Sequence, residues 1–347
     1  MSESHSAPHG ADTTPPSRIV LGGFLMGLAN LVPGVSGGTM ILAIGLYDRF
    51  IASIAKATSL RWSRDVILFM VLLLGGAAVA IVGLSSPAVW LVVEHRWIAY
   101  SLFIGMTLGG APLLARIVGK PTGASALSFL ACLALMVWVA KGLSDSPLEE
   151  SFPVLVMVGA LASSSMILPG ISGSYILLIF GMYDLVVGSL RPHELLDDPG
   201  GSIGILIPVG IGVVLGIGLL SNVLKVALTK FERPAHAALL GLLLGSVVGL
   251  WPFQRAVHPE LESKKRIEAC VLALEGADAA AIQEETGIEV DAAELAELRT
   301  RYAGKTKGDL KLLGLQLETY PPGAGRIAGA VALLLGGFLL TRRLGVE

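Results

Sequence analysis

The chain alternates long apolar stretches with short polar ones, and the apolar stretches match the bilayer better than a soluble core. A membrane-spanning helix needs about 20 mostly apolar residues. Six segments approach that length: Val66–Leu84, Trp97–Val118, Ala124–Ala140, Ile203–Leu228, Ala237–Trp251 and Ile327–Leu340. Two further apolar regions, Ile19–Ala55 and Phe152–Leu190, are interrupted at Pro33-Gly34 and at Pro169-Gly170. The arm before each interruption is about a dozen residues, which reaches only part-way through a hydrocarbon core of about 30 Å. Each region therefore predicts a re-entrant hairpin or a discontinuous helix. Met1–Ser17 is polar, with no apolar core, and is expected to be a disordered tail and not a secretory signal. Gln254–Gly325 holds 13 acidic and 9 basic residues and predicts a small hydrophilic helical cap, with Asp291–Arg301 as one helix-like stretch and no catalytic constellation.

The two interruptions are copies. PGVSGGTMILAIGLYD (Pro33–Asp48) aligns without a gap on PGISGSYILLIFGMYD (Pro169–Asp184), with eight of sixteen positions identical and an offset of 136. The same offset sets Gly105 on Gly241, Leu108 on Leu244 and Gly109 on Gly245. A shared offset over separate segments points to duplication. Ala124–Ala140 then links two halves, and Ile327–Leu340 follows them.

Charge orients the halves. Arg18, Arg49, Lys56, Arg61 and Arg64 flank the first broken region on both sides, which puts both its ends in the cytoplasm by the positive-inside rule. Counting crossings from there brings Arg116 and Lys120, Lys225, Lys230 and Arg233, and Arg342 and Arg343 to the same side. The second broken region then starts and ends outside, beside Glu150 and Asp197. The expectation is an all-α polytopic membrane protein built as an inverted repeat, each half a broken hairpin plus two spans, with one linking span and one C-terminal span. Its parts are a cytoplasmic tail (1–17), a first repeat (18–120), a linking helix (121–151), a second repeat (152–253), an extracytoplasmic insertion (254–325) and a last helix (326–347). Both termini are cytoplasmic. Inverted repeats with discontinuous helices near the midplane are a plan of secondary transporters.

Composition agrees. Apolar residues make up 53%, charged residues only 15%, and mean hydropathy is +0.73, against about 25% charge in a soluble domain. A net charge of −2 leaves no nucleic-acid footprint. Cys132 and Cys270 cannot build a disulfide framework, and no His/Cys cluster has metal-ligand spacing. No metal, cofactor or catalytic residue is expected.

The chemistry of the breaks favours an anion. Pro33 and Pro169 disrupt the helix, and Gly34, Gly37, Gly38, Gly170 and Gly173 permit sharp turns and close backbone approach. Ser36 and Ser172 suit the N-cap of the helix that follows. Free N–H groups and the helix dipole would make each break a site for phosphate or carboxylate. Thr39, Ser174 and the Tyr175 phenol would add donors. Asp48 and Asp184 occupy equivalent places and are either helix-end carboxylates or proton carriers. Asn30 and Asn222 either bond helix to helix or give polar support to the breaks. Gly22, Gly23, Gly27, Gly105, Gly109 and Gly110 predict close helix packing.

GFLMGLANLVPGVSGGT (Gly23–Thr39) with LPGISGSYILLIFGMYD (Leu168–Asp184) resembles the bacterial polyprenyl-phosphate transporter family, formerly a domain of unknown function. The resemblance covers about residues 18–253 and the last helix. It implies a flippase of the bacterial cytoplasmic membrane, returning undecaprenyl phosphate for cell-wall glycan synthesis. The lipid's head group would lie at the two breaks and its tail in the membrane lipids, with protons as a further partner. The rival reading is a small-anion channel or exchanger using the same helix ends. A lipid phosphatase would need a nucleophile with acid/base partners, and none accompanies the breaks.

Overall fold

The computed structural model describes residues 14–32, 34–140, 150–190, 196, 199–314 and 316–346. These residues are predominantly helical. Among the described residues five helices are long and apolar enough to cross a membrane, Arg64–Ser85, Arg96–Val118, Pro199–Lys230, Glu232–Leu250 and Ala324–Gly345, and Gly123–Val139 and Phe152–Ile167 are shorter apolar helices. The chain is thus a multi-pass membrane protein. Its contacts divide it into two compact units, one of residues 1–90, 101–250 and 332–347, the other of residues 91–100 and 251–331.

In the first unit, α1 (Pro16–Asn30) opens on a proline at its first turn, where the missing N–H costs nothing. The expected tail therefore ends earlier than Ser17, and its residues 1–13 lie outside the described ones. After the first break come α2 (Gly37–Ala43) and α3 (Tyr47–Thr58), then the long α4 (Arg64–Glu94). The next span is two helices, α5 (Arg96–Gly109) and α6 (Ala111–Val118), followed by α7 (Gly123–Ala140). The second region repeats the first: α8 (Phe152–Ile167), α9 (Gly173–Ile179) and α10 (Tyr183–Gly188), then α11 (Pro199–Lys230) and α12 (Glu232–Ser246).

The repeat extends to backbone conformation. Left-handed glycines stand at Gly34 (φ 83°) and Gly170 (φ 92°), and again at Gly45 (φ 74°) and Gly181 (φ 68°). Both members of each pair are 136 residues apart. A side chain at any of these four positions would be strained. Leu46 and Met182, which precede α3 and α10, share φ −99°.

Packing repeats too. A methyl group at Gly23 would overlap the Leu73 carbonyl, and one at Gly159 the Val209 carbonyl. Gly76 meets the Val20 carbonyl as Gly212 meets that of Val156. Where Gly27 meets the Ala77 carbonyl, its counterpart Ser163 donates to the Val213 carbonyl at 3.3 Å. In each half the arm before the break thus lies backbone to backbone along the long helix that follows. Gly22, Gly105, Gly109 and Gly110 are also close-packed, as expected.

The last helix, α17 (Ala324–Val346), and α7 have matching roles. Leu334 and Phe338 present carbonyls to Gly105 and Gly109, while Phe129 and Leu133 present theirs to Gly241 and Gly245. The partners of the first pair of glycines and those of the second are 205 residues apart throughout. By position in the sequence α7 ends the first half and α17 the second. In space α7 packs on α12 of the second half, and α17 on α5 of the first.

The second unit holds the polar insertion. Its four helices, α13 (Lys264–Leu274), α14 (Ala279–Thr286), α15 (Ala292–Arg301) and α16 (Lys307–Gly314), enclose a core of Leu261, Ile267, Cys270, Ala273, Ile282, Leu298, Tyr302 and Leu310. Ser263, Asp278 and Asp291 cap three of these helices by accepting from a backbone N–H three residues on. β1 (Gln254–Ala256) pairs antiparallel with β2 (Leu317–Thr319) and closes the insertion as a two-stranded ribbon, which the helical expectation did not include.

Candidate functional site

The two breaks lie against each other. The Ser36 hydroxyl donates to the Leu168 carbonyl at 3.1 Å, and the Gly170 N–H donates to the Thr39 hydroxyl at 2.8 Å. Tyr47, at the start of α3, donates from its phenol to the Ile167 carbonyl at 3.1 Å. A side chain at Gly38 would press on the same carbonyls, those of Met166, Ile167 and Leu168. The last turn of α8 leaves carbonyls without intrahelical partners. The first break supplies hydroxyls to two of them.

These bonds change the expected chemistry of the first break. Ser36 stands at the N-cap position of α2 by backbone angle, yet its side chain makes no cap bond because it is committed to Leu168. Asn30 does that work from the end of α1: its Oδ1 accepts from the Gly37 N–H at 3.2 Å. The Gly37 N–H is therefore not a free donor, contrary to expectation. Ser36, Gly37, Gly38 and Thr39 are buried, with Ser36 only 3% and Thr39 1% exposed. Val35 donates to the Val32 carbonyl at 3.1 Å, closing a turn around Gly34. Pro33 itself lies outside the described residues.

The second break is more open. Pro169, Gly170 and Gly173 are buried, Ser172 is half-buried and Ser174 is exposed. Ser172 and Ser174 share a hydrogen bond at 2.8 Å, so Ser172 is not spent on capping α9 either. Tyr175 donates to the Val139 carbonyl at the end of α7, 3.0 Å away. The hydroxyls of Ser172 and Ser174 are less buried than those of Ser36 and Thr39.

The remaining candidates divide. Asn222 does not join the breaks: its amide donates back to the Gly218 carbonyl of its own helix at 2.7 Å. Asp184 belongs to α10, but its side chain is outside the described ones. Asp48 opens α3, where a carboxylate suits the helix dipole. It lies 3.7 Å from Nε2 of His236, a buried histidine of α12 whose Nδ1 faces the Glu232 carbonyl at 2.7 Å. Both line a cavity of about 280 Å³ with Arg18, Gly45 and Tyr47. Arg18 donates to the Ile44 carbonyl at 2.8 Å. Sequence reasoning missed His236 in this place, and no motif signals it. Among the described residues no group of three or more His, Cys, Asp or Glu side chains could hold a metal ion.

Comparison with known proteins joins this geometry to a family. A family model described as Undecaprenyl phosphate translocase-like matches residues 26–267, a range that contains both breaks. The chain is 32% identical over 256 residues to a polyprenyl-phosphate transporter of Vibrio cholerae serotype O1, covering 70% of this chain and 80% of that one. It is also 32% identical over 244 residues to a polyprenyl-phosphate transporter of Staphylococcus aureus, covering 67% of this chain and 85% of the other. No solved structure matches it. With its paired breaks inside the matched range and both relatives covered over most of their length, the chain belongs to the undecaprenyl phosphate translocase-like family.

Proposed function

We propose that this protein moves undecaprenyl phosphate across the bacterial cytoplasmic membrane, returning the carrier lipid for reuse in cell-wall glycan synthesis. The phosphate head group passes the junction of the two breaks while the isoprenoid tail stays in lipid. An unpaired anion in the apolar core would be prohibitively costly. The two breaks offer polar groups at the one place where irregular backbone is sheltered by protein. Both termini lie in the cytoplasm, the two halves have opposite orientations, and each break is reached from its own side.

The observation that carries this reading is the direct bonding of one break to the other through Ser36–Leu168 and Thr39–Gly170. Bonds of this kind close a path in one conformation and free two hydroxyls, an N–H and a carbonyl when they separate. Ser172 and Ser174 receive the phosphate first, and Ser36, Thr39 and the Gly170 N–H follow as the breaks part. Transport of the lipid needs no nucleophile, and the relatives carry transporter names.

The test is translocation of labelled undecaprenyl phosphate in vesicles with the purified protein. The Ser172→Ala/Ser174→Ala protein should insert and melt normally and flip the lipid at least tenfold more slowly, by the loss of two charge-assisted bonds worth about 1.5–3 kcal/mol each. Unchanged flipping by that variant would remove the serines from the site. Protein that carries chloride or free phosphate and leaves the lipid in place would be an ion pathway and would end the lipid reading.

A further inference from the structure

A polar cavity of about 590 Å³ lies wholly within the unit of residues 91–100 and 251–331. Three guanidinium groups line it, those of Arg96, Arg255 and Arg326, together with Trp97 and Tyr320 and the carboxylates of Glu94 and Glu262. One of the arginines is in a position that helix electrostatics disfavours. Arg326 is the third residue of α17, whose first turn holds no acidic residue, whereas Arg96 stands between the last turn of α4, which ends at Glu94, and the first turn of α5. The start of a helix carries partial positive charge, so anions are stabilised there and cations are not. Local rules broken in this way are expected at functional sites.

The charges are unequally answered. Arg96 pairs with Glu262 at 3.3 Å and Arg255 with Glu318 at 2.6 Å. Arg326 stacks its guanidinium over the Tyr320 ring at 5.7 Å and enters no ion pair among the described residues. Stacking holds the group in place while leaving its in-plane N–H donors available. The cavity thus brings two helix starts and the Arg326 guanidinium together beside the exposed Glu94 carboxylate, and its three arginines outnumber its two carboxylates, a donor set that suits phosphate.

Its depth is set by the same helices. The apolar spans Arg96–Val118 and Ala324–Gly345 both begin at this cavity. Trp97 packs against Gly329, where any side chain would press on the indole ring. Trp and Tyr at the ends of spans mark the level of lipid head groups. We propose that this pocket docks the phosphomonoester head of a membrane-embedded lipid, with Arg326 as its principal contact. The proposal rests on the transport function above and names the place where the lipid is received on the side of the insertion. A phosphomonoester is favoured over a phosphodiester because its second charge answers both the guanidinium and the helix starts.

The test is photoaffinity labelling of the full-length protein in nanodiscs with a photoreactive farnesyl phosphate, followed by peptide mapping. Labelling should fall in residues 91–100 and 317–326 and drop about tenfold in Arg326→Gln, the loss of one charge-assisted bond. Arg326→Lys, which keeps the charge, should retain most of it. In vesicles Arg326→Gln should raise the lipid concentration needed for half-maximal flipping and leave the maximal rate unchanged. Labelling that ignores Arg326→Gln, or falls only elsewhere, overturns the proposal. So does displacement by phosphatidylglycerol or inorganic phosphate as readily as by farnesyl phosphate, which would mark a general anion site. Normal flipping by a variant with unchanged labelling would sink the pocket and leave the transport function standing. Wild-type protein that labels here but flips no lipid would sink the transport function instead, and with it the receiving role of the pocket.

Discussion

The hydroxyl of Thr39 accepts a hydrogen bond from the backbone N–H of Gly170 at 2.8 Å, so a side chain of the first break satisfies the main chain of the second. Both groups are buried. Thr39→Val keeps the shape and removes the acceptor. A buried N–H left unpaired costs about 1–3 kcal/mol. The variant should melt lower in detergent and flip lipid more slowly, and Thr39→Ser should restore both. A valine variant with the wild-type melting temperature would show that the contact holds nothing together.

Close helix packing gives a paired prediction. Gly23→Ala and Gly159→Ala each drive a methyl group into a neighbouring carbonyl, that of Leu73 or Val209. Overpacking of this kind costs about 1–3 kcal/mol. The two variants should lose similar thermal stability because the contacts are copies. Gly75 and Gly210, with nothing near their missing side chains, should accept alanine without loss. Equal effects at all four positions would contradict the assigned packing.

Asp48 and His236 provide a test of proton coupling. If protons drive the transport, Asp48→Asn should abolish the response of flipping to an imposed pH gradient while leaving lipid binding intact. His236→Gln should behave the same way, since the two side chains are 3.7 Å apart. Wild-type flipping that ignores the gradient would take both residues out of the mechanism.

The insertion should be acid-sensitive. Burial alone would raise the Glu260 carboxyl, but the hydrogen bond from Tyr302, a backbone bond, the Arg301 charge and His258 more than offset it and hold the group below the usual carboxylate range. A depressed carboxyl stabilises the fold above its unfolded value, about pH 4.3, and loses that contribution as the pH falls through its folded value. Amide exchange in α15 should therefore quicken below about pH 4. Glu260→Gln should remove the acid sensitivity and lower protection at neutral pH. Tyr302 moves the other way: burial first, then the bond to Glu260, raise its phenol well above the ordinary value. That contribution persists through neutral pH and is lost only in strong alkali. Exchange in the wild type that is flat from neutral to acid pH would refute the assignment.

The fold was legible where the bilayer imposes its own rules. Segment length exposed the spans, and the motif ending in Tyr47-Asp48 and Tyr183-Asp184 exposed the repeat, because Gly34 and Gly45 must recur wherever the chain turns with positive φ. The contact between breaks was not legible, since Ser36 and Ser172 are identical in the motif yet one bonds Leu168 and the other Ser174. That asymmetry depends on which carbonyl each hydroxyl meets in space. His236 was hidden for the same reason, its partner Asp48 being nearly the whole membrane part away in sequence. The capping role of Asn30 could have been anticipated from its place at the end of the arm, seven residues before Gly37.

The exchanged final helices bear on how the molecule is made. Gly105 and Gly109 precede by more than 200 residues the surface they pack against, Leu334 and Phe338, which leaves the ribosome only after the second half and the insertion. Domains commonly fold as units as they emerge during synthesis. Here the first half must wait in the membrane with an unfilled groove until the second half and the whole insertion have been translated. A stop codon before Ala324 would therefore damage the first half, which is made long before that codon is read.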